Sequence, residues 1–256
     1  MNRIFPCLVV LGWTLLQSTS YSQQAPNRNP HIQATPCHNV HTITDCPDEG
    51  CGGRYDPDLN RQKNIRPAGQ TPVLRSIAWM KALRNPSHFT GKNRNREELI
   101  RLGEGQVITV VAWALAARKG GQETCNCKLK AKADTDNHIV LVDSAIANPT
   151  LAKNEKRDSE TAEFTPRVRL DHPKFTQENL EALIDPDWRA GETPNNGKVL
   201  VRVTGVLMFD SEHFLQHPLK RHNNWEIHPV LKLEYCPEGE TCDADTDENW
   251  IDLESE

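Results

Sequence analysis

The sequence predicts a mainly β protein of the α+β class. Three observations lead to this class: apolar and β-branched runs recur after Gln106, one helical pattern interrupts them, and a turn-rich segment precedes them. The predicted order is three strands, a helix between strands three and four, and two more strands. This is the element order of an OB-like barrel, a small five-stranded Greek-key barrel. An α+β sandwich, or a β sheet with a helical flap, remains the alternative fold.

The predicted strands cover residues 107–117, 125–133, 138–143, 199–209 and 225–235. The last one alternates most clearly, with Trp225 and Ile227 on one face and Glu226 and His228 on the other. Residues 145–160 are predicted to form a loop, and residues 164–170 a short extended segment.

The predicted helix covers residues 176–184. Thr176 is a suitable N-cap, and Phe175 and Leu180 have the spacing of a hydrophobic staple across it. Asp185-Pro186 then ends the helix, because a residue before proline avoids the helical conformation.

Residues 1–22 are predicted to be a signal peptide. Arg3 supplies its positive charge, residues 4–16 its apolar stretch, and residues 20–22 the small side chains before a mature start at Gln23. The apolar stretch is too short to span a bilayer, and no later segment is long and apolar enough. We therefore expect a secreted or periplasmic protein without a membrane span.

Residues 23–105 are rich in Gln, Asn, Pro, Gly and Asp and predict an irregular N-terminal arm held by disulfides. Residues 73–84 have helical spacing and predict one short helix within the arm. The OB-like domain is predicted over residues 106–235, and residues 236–256 form an acidic C-terminal tail.

Removal of Cys7 with the signal peptide leaves seven of the eight cysteines, and in an oxidising compartment they are expected to pair. Cys236 and Cys242 enclose a turn-rich loop and are predicted to form one disulfide. The remaining pairings stay open among Cys37, Cys46, Cys51, Cys125 and Cys127. Zinc bound by cysteines and histidines within residues 37–51 is a weaker alternative, because the cysteine spacing does not match a zinc knuckle.

Polar side chains cluster at the ends of three predicted strands and suggest chemistry. The candidate catalytic residues are His213, Glu226 and His228, and the candidate metal ligands are His138, His213 and His228. Imidazoles and carboxylates together suit a divalent metal or an acid–base site. The alternative is that these groups only cap turns, since no metal-binding or nucleophile motif is present. No cofactor is predicted beyond this possible divalent metal.

Charge is unevenly distributed along a chain whose formal net charge is −5. Eleven basic and four acidic residues lie within residues 54–101, whereas residues 234–256 hold ten acidic and no basic ones. A basic arm beside an OB-like barrel can bind a polyanion such as nucleic acid, or an acidic glycan. The alternative is that the arm and the tail neutralise each other. The candidate binding residues are Arg221, Asn223, Trp225, Asp136 and His138.

Four strings resemble a group of uncharacterised exported bacterial proteins: residues 58–64, 123–127, 136–139 and the Trp-Glu-Ile-His-Pro-Val motif at 225–230. The resemblance covers roughly residues 46–235 and implies a single exported domain. It implies no activity.

The composition excludes a polytopic membrane protein, a collagen-like repeat and a wholly disordered chain. The leading functional prediction is an exported binding module for a polyanion or an oligosaccharide. A metal-dependent hydrolase acting on phosphodiesters through the His/Glu cluster is the alternative. A structural or interaction protein without a catalytic site is the second alternative.

Overall fold

The structure is a computed structural model that describes residues 36–53, 56–87, 96–144, 158–184, 199–214, 219 and 221–255. All of them belong to the unit Ile32–Glu256. The predicted signal peptide and the beginning of the N-terminal arm lie outside the described residues. In the part of the chain that is described, no helix has the length and apolar character needed to cross a membrane.

The described residues contain seven strands: β1 (Val73–Arg75), β2 (Val107–Lys119), β3 (Asn137–Asp143), β4 (Glu160–Phe164), β5 (Val199–Phe209), β6 (Trp225–Tyr235) and β7 (Ile251–Asp252). They also contain five α-helices: α1 (Pro57–Lys63), α2 (Ile77–Lys81), α3 (Glu97–Leu102), α4 (Pro166–Arg169) and α5 (Gln177–Ile184). Three 3-10 turns cover Ile43–Asp45, Lys132–Asp134 and Leu253–Ser255.

Five of the strands close into a barrel in the order β2-β3-β4-β6-β5, and β5 pairs back with β2. Neighbouring strands are antiparallel except β4 and β6, which are parallel. In addition, β1 pairs with β2 and β7 pairs with β6. The predicted mainly β fold with a five-stranded barrel is confirmed. In chain order, α4 and α5 follow β4 and precede β5, and Oγ1 of Thr176 accepts a hydrogen bond from N of Asn179 at 3.1 Å.

The strand predicted over residues 125–133 is wrong. Residues 124–128 form consecutive turns, and N of Lys128 donates a hydrogen bond to O of Glu123 at 2.8 Å. Cys127 and Lys128 have φ angles of 51° and 59°, in the left-handed region that a β-strand does not use. The alternation of polar and apolar residues in this segment therefore belongs to a folded loop.

The third barrel strand, β4, was not predicted: its first residue falls in the predicted loop and its last residue begins the predicted extended segment. Thr165 ends the strand and caps α4, since its Oγ1 accepts a hydrogen bond from N of Val168 at 3.4 Å. Pro166 then occupies the first helical turn, where its missing N–H costs nothing. The extended segment predicted over residues 164–170 is thus a strand end followed by a helical turn.

The inward faces of the barrel strands form the main hydrophobic core, which includes Ile139, Ala162 and Ile227. The sequence alternation also predicts Pro229, Leu231 and Leu233 on the inward face of β6. Leu233 does lie in the core, but Val230 replaces Pro229 there, and Leu231 is only partly buried against the core. The pairing of β6 with β5 shifts register on both sides of Gly205. Each shift adds a residue to one strand and reverses the alternation, so the predicted inward position returns at Leu233.

From residue 36 onward, the predicted irregular arm contains α1, α2, α3 and β1. The helix predicted over residues 73–84 is shorter than expected, because its first residues form β1. Ser76 separates the two elements and caps α2, accepting a hydrogen bond from N of Trp79 at 3.0 Å.

The described residues contain three disulfides: Cys37–Cys51, Cys46–Cys127 and Cys236–Cys242. The second ties the arm to the loop after β2, and the third is the pair expected from the sequence. Cys125 is the cysteine left over, and its thiol is buried. The predicted disulfide-held N-terminal region is confirmed.

Candidate metal centre

Three ionisable side chains lie side by side on β3, β4 and β6. His138 of β3 is paired with Glu163 of β4. Since β4 runs parallel to β6 with Ala162 opposite Ile227, the next position places Glu163 beside His228. Oε2 of Glu163 lies 3.5 Å from Nε2 of His138 and 3.0 Å from Nδ1 of His228. The three side chains form a row across neighbouring strands.

This row lies on the outer face of the barrel, because side chains alternate along a strand and the neighbouring residues point into the core. Glu163 and His228 are nevertheless buried, with 5% and 0% of their surface exposed. The N-terminal arm and the loop after β2 shield these two side chains from water. Lys63 in α1 of the arm forms a buried ion pair with Glu123 in that loop.

The loop after β2 adds two carboxylates to the row. Asp136 directly precedes β3, and its Oδ1 accepts a hydrogen bond from Nδ2 of Asn126 at 2.9 Å. Glu123, Asp136, His138 and Glu163 each offer an oxygen or nitrogen atom, and these four atoms all lie within 4.8 Å of one another. That separation fits four groups around one metal ion.

The position of this loop depends on the arm. The disulfide Cys46–Cys127 fixes the end of the turn, and Oγ1 of Thr124 donates a hydrogen bond to Oδ1 of Asn60 at 3.1 Å. Glu123 precedes this anchored turn directly. The arm therefore determines where one of the four candidate ligands lies.

Three atoms of the candidate ligands have no hydrogen-bond partner among the described residues: Oδ2 of Asp136, Nε2 of His138 and Oε2 of Glu163. Asp136 is fully buried. A buried polar atom without a partner costs about 1–3 kcal/mol, so such atoms usually mark a missing water or ion. A carboxylate oxygen and an imidazole nitrogen facing the same space are both electron-pair donors, as a cation requires.

The surroundings shift the pKa values of the groups in this row. Burial, with Glu123 nearby, raises the pKa of Asp136 to about 6. Burial alone would also raise the pKa of Glu163, but His138 and His228 outweigh it and hold that pKa well below its usual range. Burial would lower the pKa of His228, but Glu163 and Glu226 outweigh it and raise that pKa to about 10. Glu163 and His228 are thus a charged pair at neutral pH.

A second set of ion pairs leads away from this row. Nδ1 of His228 also lies 3.2 Å from Oε1 of Glu226, whose Oε2 accepts a hydrogen bond from Nη1 of Arg221 at 2.6 Å. Arg221 binds Asp210 through its other terminal nitrogen. The chain of contacts therefore connects the loop between β5 and β6 with Glu163.

Two of the three candidate catalytic residues come together in the structure. Glu226 and His228 lie with Glu163 in a group whose ligand atoms are within 4.8 Å of one another. His213 belongs to neither group of candidate ligands among the described residues. Its Nδ1 lies 2.6 Å from Oδ2 of Asp210. Of the candidate metal ligands, His138 and His228 thus flank Glu163, and His213 lies apart from them.

Asp136 and His138 are the two candidate binding residues that lie in the centre. The other three have partners within the protein. Arg221 forms ion pairs with Asp210 and Glu226. Nδ2 of Asn223 donates a hydrogen bond to O of Met80, and Nε1 of Trp225 donates one to O of Arg84.

Sequence reasoning missed Lys63, Glu123 and Glu163. Glu163 was missed because β4 was not predicted, so its outward position opposite His138 was not visible. Glu123 and Lys63 lie within two of the strings that carry the resemblance, residues 123–127 and 58–64, but nothing in the sequence indicates that they form a pair.

The cysteine-rich part of the arm does not offer a zinc site in its disulfide-bonded form. The sulfur atoms of Cys37, Cys51 and Cys127 lie within 4.8 Å of one another, but all three are in disulfides and cannot act as thiolate ligands. Sγ of the free Cys125 donates a hydrogen bond to Oε2 of Glu123 at 3.4 Å, and burial raises the pKa of this thiol well above its usual value.

The centre reaches the surface at His138, whose side chain is 29% exposed. Gly120 leaves room for this imidazole: a methyl group at Gly120 would lie 2.8 Å from Nε2 of His138. A methyl group at the next residue, Gly121, would meet no atom within 4 Å. His138 is thus the candidate ligand nearest the surface, although its Nε2 atom is itself buried beneath Gly120.

Comparison of the chain with protein-family models, with curated proteins and with solved structures gives no match. The resemblance of its motifs to exported bacterial proteins stays a prediction.

Proposed function

We propose that this protein is a divalent-cation-dependent hydrolase whose cation is held by Asp136, His138 and Glu163, with Glu123 as a further ligand. The observation that carries the proposal is the fully buried Oδ2 of Asp136, which has no hydrogen-bond partner among the described residues and belongs to this group of closely spaced ligand atoms. A carboxylate oxygen in this position is expected to bind a cation.

The donor set indicates which cations fit. Carboxylate oxygens suit Mg²⁺, Ca²⁺ and Mn²⁺, whereas an imidazole nitrogen suits Zn²⁺ and other transition metals. A site with several carboxylates and one imidazole therefore favours Mn²⁺ or Zn²⁺ over the alkaline-earth ions. The arrangement contains no thiolate, because the only free cysteine among the described residues donates its S–H to Glu123.

The position of the centre supports a ligand-binding role. OB-folds bind oligonucleotides and oligosaccharides on the face of the second and third barrel strands, between the loops that join strands one and two and strands four and five. Here those strands are β3 and β4, which carry His138 and Glu163. The first of the two loops carries Glu123 and Asp136. This support rests on fold analogy, which gives the place of a site and not its chemistry.

Phosphodiesters are the substrate class that fits best. Without a cation, the carboxylates at this face would repel a polyanion. A bound divalent cation would neutralise the phosphate, polarise its oxygen and lower the pKa of a bound water. The protein's own part is to hold the ligands: Asn126 orients Asp136, Lys63 orients Glu123, and the imidazole of His228 contacts Glu163.

A second candidate is the binding module predicted from the sequence, with a polyanion or an oligosaccharide as ligand. The near-complete burial of Asp136 and Glu163 favours it, because little of the cation's surroundings would be open to a reacting group. The basic arm gives this candidate less support than expected. Several of its charges have acidic partners in ion pairs: Lys63–Glu123, Arg66–Asp171, Lys81–Asp158 and Arg96–Glu104.

Export from the cytoplasm is part of the same proposal. Three disulfides within one chain are typical of an oxidising compartment, outside the cell or in the periplasm. The predicted signal peptide would direct the chain to such a compartment.

The test uses the purified, disulfide-bonded protein. Calorimetric titration with Mn²⁺, Zn²⁺, Mg²⁺ and Ca²⁺ is expected to give one site per chain that prefers Mn²⁺ or Zn²⁺. The loaded protein is expected to hydrolyse a phosphodiester such as bis(p-nitrophenyl) phosphate and to lose this activity on chelation. Asp136→Asn should remove both properties.

Asp171→Asn is the matched control, since Asp171 is an exposed partner of Arg66. It should leave cation binding and hydrolysis unchanged. A wild-type protein that binds none of the four cations would refute the proposal. Cation binding without hydrolysis, together with retention of an oligonucleotide, would favour the binding module instead.

A further inference from the structure

We infer that His228 is a positioning residue that holds Glu163 in the orientation needed to bind the cation. This inference rests on the proposed function, and it concerns a side chain that would touch neither the cation nor the substrate. It also gives the Glu-Ile-His part of the motif at residues 226–228 a role.

The inference rests first on the contacts of Glu163. Its Oε2 lies between two imidazoles on neighbouring strands, 3.5 Å from Nε2 of His138 and 3.0 Å from Nδ1 of His228. His138 is partly exposed and belongs with Glu123 and Asp136 to one candidate ligand group, whereas the fully buried His228 belongs to a second group with Glu163 and Glu226. We assign the cation to the first group, so that His138 binds it and His228 acts through Glu163.

The inference rests secondly on the contacts of His228. Its Nδ1 lies within 3.2 Å of Oε1 of Glu226 as well as within 3.0 Å of Glu163, so one N–H lies between two carboxylates. Arg221 in turn fixes Glu226 and Asp210. The imidazole is thereby held by Glu226, and its ion-pair contact restrains Glu163. Polar contacts behind a metal ligand fix its orientation in this way in known metal sites.

A different arrangement of the same residues must be tested against this one. Glu163, Glu226 and His228 could hold a second cation of their own, with Glu163 bridging the two ions as in two-metal hydrolases. The guanidinium of Arg221, 2.6 Å from Oε2 of Glu226, argues against it, because it already supplies the positive charge that Glu226 needs. The two arrangements differ in the number of cations bound per chain.

The experiment compares two buried amide substitutions. In His228→Asn the amide nitrogen takes the place of Nδ1 and can keep a polar contact with Glu163. In His228→Gln the amide nitrogen takes the place of Nε2, and the contact with Glu163 is lost while size and polarity remain similar. Mn²⁺ affinity and stoichiometry are measured by calorimetry, and the coordination of Mn²⁺ by electron paramagnetic resonance.

We expect His228→Gln to weaken Mn²⁺ binding by about 10–100-fold and to change the resonance spectrum. His228→Asn should keep wild-type affinity within a few fold, with one Mn²⁺ per chain in each protein that binds. If His228 only stabilised the fold, both folded variants would bind Mn²⁺ with equal affinity. That result would overturn the inference. Two cations in the wild type and one in His228→Gln would also overturn it, since His228 would then be a ligand.

Thermal unfolding identifies any variant that does not fold. Glu226→Gln is the reserve variant, because it removes one of the two partners of Nδ1 and leaves the imidazole in place. It should weaken Mn²⁺ binding less than His228→Gln does, and an equal or larger loss would contradict the inference. Failure of the wild type to bind any cation would instead refute the proposed function, so the two failures are distinguishable.

Discussion

Lys63 at the end of α1 and Glu123 in the loop after β2 form an ion pair that is almost fully shielded from water, with side-chain exposures of 3% and 16%. Their positions are sixty residues apart in the chain. The pair joins the N-terminal arm to the candidate metal centre. The arm thus contributes directly to the site on the barrel.

Replacement of Lys63 by methionine should destabilise the protein by about 3–5 kcal/mol, because it leaves the Glu123 carboxylate buried without its partner. Urea unfolding measures the change. Arg61→Met is the control, since Arg61 forms an exposed pair with Asp58 whose loss should cost less than about 1 kcal/mol. Similar small losses in both variants would show that the buried pair does not hold the arm.

Substitution of Gly120 by alanine should displace His138 and Asp136, because the new methyl group would lie 2.8 Å from Nε2 of His138 and 2.9 Å from the backbone O of Asp136. We expect a loss of cation affinity by at least about tenfold, comparable to that caused by removing a supporting contact behind a ligand. Gly121→Ala is a matched control with nothing within 4 Å of the added methyl. Calorimetric titration compares them, and an unchanged affinity in Gly120→Ala would exclude His138 from the ligand set.

Once the predicted signal peptide is removed, the protein should contain one free thiol, that of Cys125, and this thiol should be unreactive in the folded state. It is fully buried, and its raised pKa disfavours the reactive thiolate. Ellman's reagent should detect no thiol in native protein and one per chain in guanidinium chloride. Two thiols per chain, with an intact mass that includes residues 1–22, would show that Cys7 and the predicted signal peptide are retained.

The pairing of His213 with Asp210 predicts a pH-dependent contribution to stability. The hydrogen bond from the imidazole to Asp210 raises the pKa of His213 above its usual 6.5 in the folded state. The charged ring therefore stabilises the fold below pH 6.5, and this contribution is lost as the pH rises through the raised pKa.

His213→Gln should accordingly lower the free energy of unfolding below pH 6.5 and have progressively less effect at higher pH. Urea unfolding across this range checks it, with His41→Gln as a surface control. A difference between wild type and His213→Gln that does not vary with pH would contradict the assignment.

The sequence predicts the barrel well where strands have a one-sided core pattern. Trp225 and Ile227 face inward and Glu226 and His228 outward, because in this part of β6 one face packs in the core and the other does not. The bulge at Gly205 breaks the pattern further along, and it depends on the partner strand, which a single strand's sequence does not record.

The candidate site could be predicted only in part. Asp136, His138, Glu226 and His228 stand out as polar groups beside strands, and all four lie at or next to the centre. Glu163 did not stand out, because β4 is short and merges into α4. The position of Glu123 beside the other candidate ligands depends on its ion pair with Lys63 of α1 and on the disulfide Cys46–Cys127, and both are long-range contacts. Local sequence patterns do not determine contacts of this kind.

The most direct test of the metal centre is anomalous X-ray diffraction from crystals of the protein grown with Mn²⁺. A single strong anomalous peak among Asp136, His138 and Glu163 is the predicted result. An absent peak, or a peak that lies away from these side chains, would contradict the assignment of the metal centre.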